Sequence, residues 1–303
     1  MPSCGFLAFE IDYPRMNGPY DDSNLLLELE TLVQKAFTED LAREDCTSAA
    51  CIDPGRQARA EILLKQPGCI AGLRFLPLIF QLFDPSIVTR IFVADGQHCE
   101  NRTPLAEAEG SAASLLGAER TALNLIQHLS GIATYTARCA DAASGTKCQI
   151  LDTRKTLPGM RLLQKYAVRM GGGTNHRMNL SDCILIKDNH LSLAKEAAPS
   201  ALAHCIGAAK MRYPSHRIQT EIERLEDLET AIAAGADALL LDNMSRDEVA
   251  ACVAANRGRA FLEASGGMTL ETIGTYAKTG VDAISLGALT HSVSALDLSM
   301  KLY

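Results

Sequence analysis

Hydrophobic and polar positions change rhythm twice along the chain. About twenty residues rich in proline and glycine, without periodicity, come first. Leu25, Leu26, Leu29, Leu32, Val33 and Ala36 then recur at steps of three and four, which predicts an amphipathic helix with Ser23 or Asn24 as its N-cap. Shorter strand-like runs follow at 58–64 and 87–93, broken by Pro67-Gly68, Ala71-Gly72 and Asp95-Gly96, and predict a small α+β unit. A long helical pattern over 118–143 keeps Leu123, Ile126, Leu129, Ile132 and Ala133 on one face and links this unit to the rest.

Beyond that helix, apolar runs of strand length recur at 149–152, 183–186, 218–222, 238–241, 261–264 and 282–286, separated mostly by helix-like segments. Such alternation predicts βα units around a parallel sheet. Each run ends in a polar or glycine signal: Arg154 and Lys155, Lys187 and Asp188, Glu221 and Glu223, Asp242, Ser265-Gly266-Gly267, and Gly287. In a parallel barrel the carboxyl ends of the strands converge on one mouth, where the site lies. The 140 residues from 149 to 288 are too few for eight βα units of about 30 residues each. The expected architecture is therefore α/β with an open, incomplete barrel.

Composition narrows the partners. At 303 residues and 47% hydrophobic the chain can build a large core, as two domains or as one barrel with additions. A net charge of -7 excludes nucleic acid or an anionic membrane as the main partner, because no basic face is available to displace counterions. Ten cysteines without a C-x-x-C pair read as reduced thiols, so a cytoplasmic location is expected. Glu10 and Asp12 stand early, and the apolar stretch 69–83 is interrupted by Arg74 and Pro77, so neither a signal peptide nor a membrane span is expected.

Within this acidic chain, residues 152–190 concentrate Arg154, Lys155, Arg161, Lys165, Arg169, His176, Arg177 and Lys187 against Asp152, Asp182 and Asp188. Arginine forks and compact lysine charges together call for a ligand with several negative groups. Arg161 and Lys165, four apart in the helical pattern after Pro158, are expected on a solvated helix face. Ser265-Gly266-Gly267 leads from a strand into a helical stretch and suits a phosphate, as does the turn at Gly287. Glu221 and Asp242 offer hard oxygens for sugar hydroxyls or magnesium, or serve as helix N-caps. Gly171-Gly172-Gly173 fits neither a dinucleotide fingerprint nor a P-loop. The residues alone thus describe a mouth for a phosphosugar beside a polyanionic small molecule, and group transfer between them.

The same residues carry a resemblance. AERTALNLIQHLSGIAT (118–134), ILDTRKTLPGMR (150–161), KYAVRMGGGTNHR (165–177), LIKDNH (185–190), LLLDN (239–243), EASGG (263–267) and GALTHS (287–292) stand in order, and the chain from Leu25 onward resembles the quinolinate phosphoribosyltransferase family. That resemblance implies an amino-terminal α/β sandwich over 25–125, preceded by an arm (1–24) and rejoined by the tail 290–303, with a catalytic barrel over 126–289. It implies transfer from phosphoribosyl pyrophosphate to quinolinate with decarboxylation, giving nicotinate mononucleotide, pyrophosphate and carbon dioxide in NAD biosynthesis. It also implies magnesium, no nucleotide or flavin cofactor, and a homodimer in which Arg120 reaches the partner's site. Arg154, His176 and Arg177 are expected on the quinolinate carboxylates, with Lys155 and Lys187 on quinolinate or the diphosphate. Glu221 and Asp242 are expected on ribose hydroxyls and magnesium, and Ser265, Gly266, Gly267 and Gly287 on the 5-phosphate, with His291 nearby. Against the family's glycine-rich EDLGxGDxT this chain reads EDLAREDCTS (39–48), and Asn179 stands where a glycine is common. The alternatives are a paralogue using another anionic acceptor, a phosphosugar isomerase or lyase, and a non-catalytic phosphosugar-binding barrel.

Overall fold

The computed structural model describes residues 22–195 and 200–303; residues 1–21 of the expected arm lie outside it. Helix α1 (Asp22–Glu39) buries Leu25, Leu29, Val33 and Phe37, a stripe at four-residue spacing. Ser23 and Asn24, expected as its cap, are themselves within the helix. In the EDLAREDCTS stretch Leu41 takes a left-handed conformation (φ 48°). Asp45 Oδ1 then accepts from the N–H groups of Thr47 and Ser48 at 3.0 and 3.1 Å and caps α2 (Cys46–Cys51). The turn thus forms although alanine and glutamate replace the family's glycines.

Along the chain follow β1 (Gln57–Leu64), β2 (Gly68–Cys69), α3 (Leu76–Phe83), β3 (Val88–Ile91), β4 (His98–Cys99), β5 (Pro104–Ser111) and α4 (Ala112–Ala142). Strands and helices then alternate: β6 (Gln149–Leu151), α5 (Arg161–Met170), β7 (Ile184–Ile186), α6 (Asp188–Ala194), α7 (Ala201–Arg212), β8 (Ile218–Ile222) and α8 (Glu226–Ala234). The chain closes with β9 (Ala238–Asp242), α9 (Arg246–Asn256), β10 (Phe261–Ser265), α10 (Leu270–Ala277), β11 (Ala283–Ser285), α11 (Ala288–His291) and β12 (Leu298–Leu302).

Four of these strands form an antiparallel sheet in the order β12-β1-β5-β3, so the carboxyl-terminal strand pairs with β1, from Ala60↔Leu302 to Leu64↔Leu298. β5 escaped the sequence pattern because its buried positions, Leu105, Ala106 and Ala108, are mostly alanine and alternate with glutamates. What defines it is pairing on both edges, with Arg59 of β1 bridging Glu107 and Glu109. α3 buries Leu76, Ile79, Phe80 and Phe83, each contributing roughly 1.5–3 kcal/mol of burial free energy. The long α4 packs on both β1 and β6 and so joins the two sheets. From it, Ser130 and Thr134 hydroxyls meet the backbone N–H groups of Ala71 and Cys69 at 3.0 and 2.9 Å.

The second sheet is parallel, six-stranded, and ordered β6-β11-β10-β9-β8-β7. This is the cyclic order of a barrel left open between β6 and β7. Part of the gap is filled by residues after α5, where Thr174 bridges to Leu151 in parallel. The expected open barrel is therefore observed. Side chains alternate with period two, so one face of each strand turns inward. Leu151, Ala238, Phe261 and Ala283 make a separate buried cluster that closes the floor. Moving two residues along the same strands, past this floor, places Thr153, Leu240, Glu263 and Ser285 above it, and the next inward layer holds Asp242 and Ser265.

Candidate active site

Above that floor lies a cavity of about 450 Å³ lined by Thr153, Arg154, Lys155, His176, Arg177, Leu185, Lys187, Asp188, Glu221, Leu240, Asp242, Glu263, Ser265 and Ser285. Most come from the carboxyl-terminal halves of the parallel strands or the turns just after, as expected for this fold, and His176 and Arg177 come from the segment between α5 and β7, beside the Thr174 bridge.

One wall is cationic. Arg154, Lys155, Arg177 and Lys187 converge on it. Arg154 is held below the usual arginine value by burial and by the Arg177 and Arg161 charges nearby. Its Nε is buried with no hydrogen-bond partner among the described residues. Such crowding of like charge is relieved by a bound anion. Arg177 extends from a segment fixed on both sides, since its N–H donates to His176 Nδ1 at 2.7 Å and its Nη1 donates to the Cys183 carbonyl at 3.1 Å. His176 Nδ1 is thus an acceptor, and its Nε2 lies 3.2 Å from Glu263. A direct carboxylate contact by His176 requires one of these partners to be released.

Behind this wall stands Lys165, whose side chain is 0% exposed. Its ammonium donates to Asp152 and, at 2.7 and 3.2 Å, to the carbonyls of His176 and Arg177. Asp152 accepts in addition from the His176 N–H at 2.8 Å and Asn175 Nδ2 at 2.6 Å. Burial raises the Asp152 carboxyl and lowers the Lys165 ammonium, and their mutual attraction opposes both shifts. This corrects the expectation of a solvated face for Arg161 and Lys165. Arg161 is also tied inward, to Thr156, Met178 and Arg154, because α5 packs against α4 and α1 and buries residues 163–168.

The adjoining wall is acidic. Glu221, on β8, pairs with Lys187 across the strand ends and accepts from the Asp188 N–H at 3.2 Å. Asp242, one strand over, is raised above the usual aspartate range by burial and then by the Glu221 charge. Its carboxylate also accepts from Asn243 Nδ2 at 2.8 Å. Glu263, in the layer just above the floor, is 0% exposed and bonded to Gln219 at 2.7 Å. Burial opposes its ionisation, yet the His176 ring and the Gln219 amide outweigh this and hold the carboxyl below the ordinary range.

Glycine turns rim the mouth. At Gly266 (φ +94°) an added Cβ would stand 2.1 Å from Asn243 Oδ1 and 2.8 Å from its backbone nitrogen, so only glycine lets the two turns touch. Gly287 admits the aliphatic part of Lys155, which would meet a Cβ at 2.8 Å. Thr290 fixes the same lysine by donating to its carbonyl at 2.8 Å.

Of the residues expected from sequence, Arg154, Lys155, His176, Arg177, Lys187, Glu221, Asp242 and Ser265 share this cavity. Gly266, Gly267 and Gly287 are in the adjoining turns, and His291, whose ring lies against Gly287, bonds to Ser292. Arg120 lies apart: it pairs with Glu119 on α4 and lines a different cleft of about 530 Å³ with Asn124, His128 and Leu157. Glu263, Asp152 and Gln219 were given no role from sequence. Glu263 carries a signal, an acid in the middle of an otherwise apolar run, whereas Asp152 follows β6 and Gln219 lies among the polar residues of IQTEI. Among the described residues no cluster of three or more metal-ligating side chains occurs, and no helix is long and apolar enough to cross a membrane.

Comparison with known proteins places these features in context. Residues 45–130 match the model of the quinolinate phosphoribosyl transferase N-terminal domain, and residues 132–301 that of its C-terminal domain. A probable carboxylating nicotinate-nucleotide pyrophosphorylase of Bacillus subtilis is 43% identical over 275 residues, covering 90% of this chain and 93% of that protein. The Mycobacterium leprae carboxylating nicotinate-nucleotide pyrophosphorylase is 41% identical over 278 residues, covering 89% and 95%. The solved nicotinate-nucleotide pyrophosphorylase from Francisella tularensis superposes with a TM-score of 0.85 at 37% identity, covering 91% of this chain and 96% of that one.

Proposed function

The chain belongs to the quinolinate phosphoribosyltransferase family, and we propose that its cavity transfers the phosphoribosyl group of phosphoribosyl pyrophosphate to quinolinate with decarboxylation. The products are nicotinate mononucleotide, pyrophosphate and carbon dioxide, which makes the chain a carboxylating pentosyltransferase of NAD biosynthesis. The observation that carries this reading is one 450 Å³ cavity in which a cationic wall of Arg154, Lys155 and Arg177 meets an acidic wall of Glu221 and Asp242 through the Lys187–Glu221 pair. A dicarboxylate suits the first wall and a developing cation the second.

In this reading Arg154 and Arg177 take the two quinolinate carboxylates, and His176 shapes that side through its ring and its hold on the Arg177 N–H. The pyridine nitrogen attacks the anomeric carbon of ribose as the C–O bond to pyrophosphate breaks, with the electron pair leaving on pyrophosphate. Glu221 and Asp242 hold the ribose hydroxyls and face the positive charge that builds on the sugar, while Lys155 and Lys187 meet the departing pyrophosphate. The bond to the 2-carboxylate then breaks, its electron pair enters the now cationic ring, carbon dioxide leaves, and the ring carbon takes a proton from water. No protein nucleophile is consumed. Ser265, Gly266, Gly267 and Gly287 receive the 5-phosphate at the rim.

Two neighbouring carboxylates, one raised by burial and by its neighbour's charge, fit a divalent ion that draws its remaining oxygens from substrate and water. Glu221 and Asp242 would hold that magnesium, which supplies charge neutralisation to the pyrophosphate. Arg120 lies outside its own chain's cavity, and this supports a homodimer in which it completes the partner's site. The deciding assay follows nicotinate mononucleotide and carbon dioxide from quinolinate, phosphoribosyl pyrophosphate and magnesium, with nicotinate as control acceptor. Product from quinolinate alone is expected. Equal product from nicotinate would remove the dicarboxylate role of the cationic wall.

A further inference from the structure

We infer that Lys165, Asp152 and Asn175 are positioning residues that set the affinity for the acceptor without touching it; the inference rests on the quinolinate reading of the cavity. None of the three lines the cavity. Lys165 is nevertheless among the largest fully buried side chains of the molecule, and a charged group in such a place needs a reason.

The reason lies in how its three donors are spent. An ammonium has three N–H groups, and here they go to Asp152, the His176 carbonyl and the Arg177 carbonyl. Asp152 closes the other side by accepting the His176 N–H, and it takes the Asn175 amide on its second oxygen. Asn175 donates as well to the Lys165 carbonyl at 2.9 Å. The backbone of residues 175–177 is therefore gripped from donor and acceptor sides at once, between the end of β6 and the middle of α5. Only the side chains of His176 and Arg177 leave this clasp, and both point into the cavity. A hydrophobic residue in place of Lys165 would fill the same volume but could not hold two carbonyls. The ion pair thus ties α5 to the end of β6 and sets the aim of the carboxylate-binding arginine.

Glu221 and Asp242, assigned to the ribose, and Ser265, assigned to the 5-phosphate, stand on β8, β9 and β10, while Lys155, assigned to the pyrophosphate, is held separately by Gly287 and Thr290. Weakening the clasp should separate the two substrates. Removing only Lys165 leaves a buried carboxylate without its cation and endangers folding. The decisive variants are therefore Asn175→Ser and the paired Lys165→Met/Asp152→Asn, in which both charges go together. Each should bind quinolinate about tenfold to a hundredfold more weakly, in titration calorimetry and in KM, with phosphoribosyl pyrophosphate affinity unchanged and kcat moving much less. Unchanged quinolinate affinity in Asn175→Ser, or equal loss for both substrates in either variant, overturns the inference. Wild-type protein that binds quinolinate but makes no nicotinate mononucleotide would sink the reaction reading instead, and the affinities would still test the clasp.

Discussion

Replacing Gly266 with alanine is the most direct probe of how the phosphate rim is built. The residue has φ +94°, and a side chain in the left-handed region costs roughly 1–2 kcal/mol by itself. The added Cβ would stand 2.1 Å from Asn243 Oδ1, 2.7 Å from its Cγ and 2.8 Å from its backbone nitrogen. Rotating the Asn243 side chain relieves the first two contacts but not the third, so the backbone after β9 must move. Overpacking of this kind costs about 1–3 kcal/mol, and a combined loss of about 3 kcal/mol lowers Tm by about 6–12 °C in a unit of 150–250 residues. The movement also reaches the site. Asn243 donates its N–H to the Ser265 carbonyl at 2.9 Å and its side-chain amide to Asp242 at 2.8 Å. Weaker phosphoribosyl pyrophosphate binding should accompany the lower Tm, with quinolinate affinity retained. Gly267→Ala is the internal control, because that residue has φ +58° and a Cβ added there would meet no atom within 4 Å. It should lose only about 1 kcal/mol, or about 2–4 °C. Calorimetric melting and phosphoribosyl pyrophosphate titration of both variants check this. Equal melting of the two, or full affinity in Gly266→Ala, would refute the claim that contact with Asn243 dictates the glycine.

Three further outcomes follow from the site. Because the folded protein raises the Asp242 pKa by burial and by Glu221, the wild type loses stability as pH rises from the ordinary aspartate value through the raised one. Asp242→Asn should therefore melt higher than wild type at neutral pH, with the gain vanishing below about pH 4, while activity is lost; an unchanged difference across that range would contradict the shift. Arg177→Ala should abolish measurable quinolinate binding but leave phosphoribosyl pyrophosphate binding intact in calorimetry, and parallel loss of both would break the assigned division of the walls. Mixing inactive Arg120→Ala with inactive Lys187→Ala under subunit exchange should restore about a quarter of wild-type activity, since half the dimers are hybrids with one intact site each. No recovery despite demonstrated exchange would remove Arg120 from the partner's site.

Much of this molecule is decided locally and can be read from the chain. The runs at 218–222, 238–241 and 261–264 lie within the observed β8, β9 and β10, and β9 reads as continuously apolar because it is buried on both faces, whereas β8 buries Gln219, Thr220 and Glu221 as well. The polar ends of those runs fall at the mouth because parallel strands share one direction, so Arg154, Lys187, Glu221 and Asp242 are legible as a group. The family motifs add specificity that periodicity lacks.

Other features depend on neighbours distant in the chain. Strand β5 reads as weak because alanine and glutamate say little by themselves, and it exists through pairing with β1 and β3. Lys165 reads as a surface residue because charge usually means solvent. Its burial follows from α5 packing against α4 and α1, with Asp152 and two carbonyls brought to its ammonium from other segments. Glu263 is inconspicuous within FLEAS until the parity of β10 turns it inward beneath His176. Local pattern was enough to say which barrel strands form and which residues stand at their ends. Which of those charges meet was settled by the fold alone, because pairing energy depends on distance and desolvation, and neither is a property of one segment.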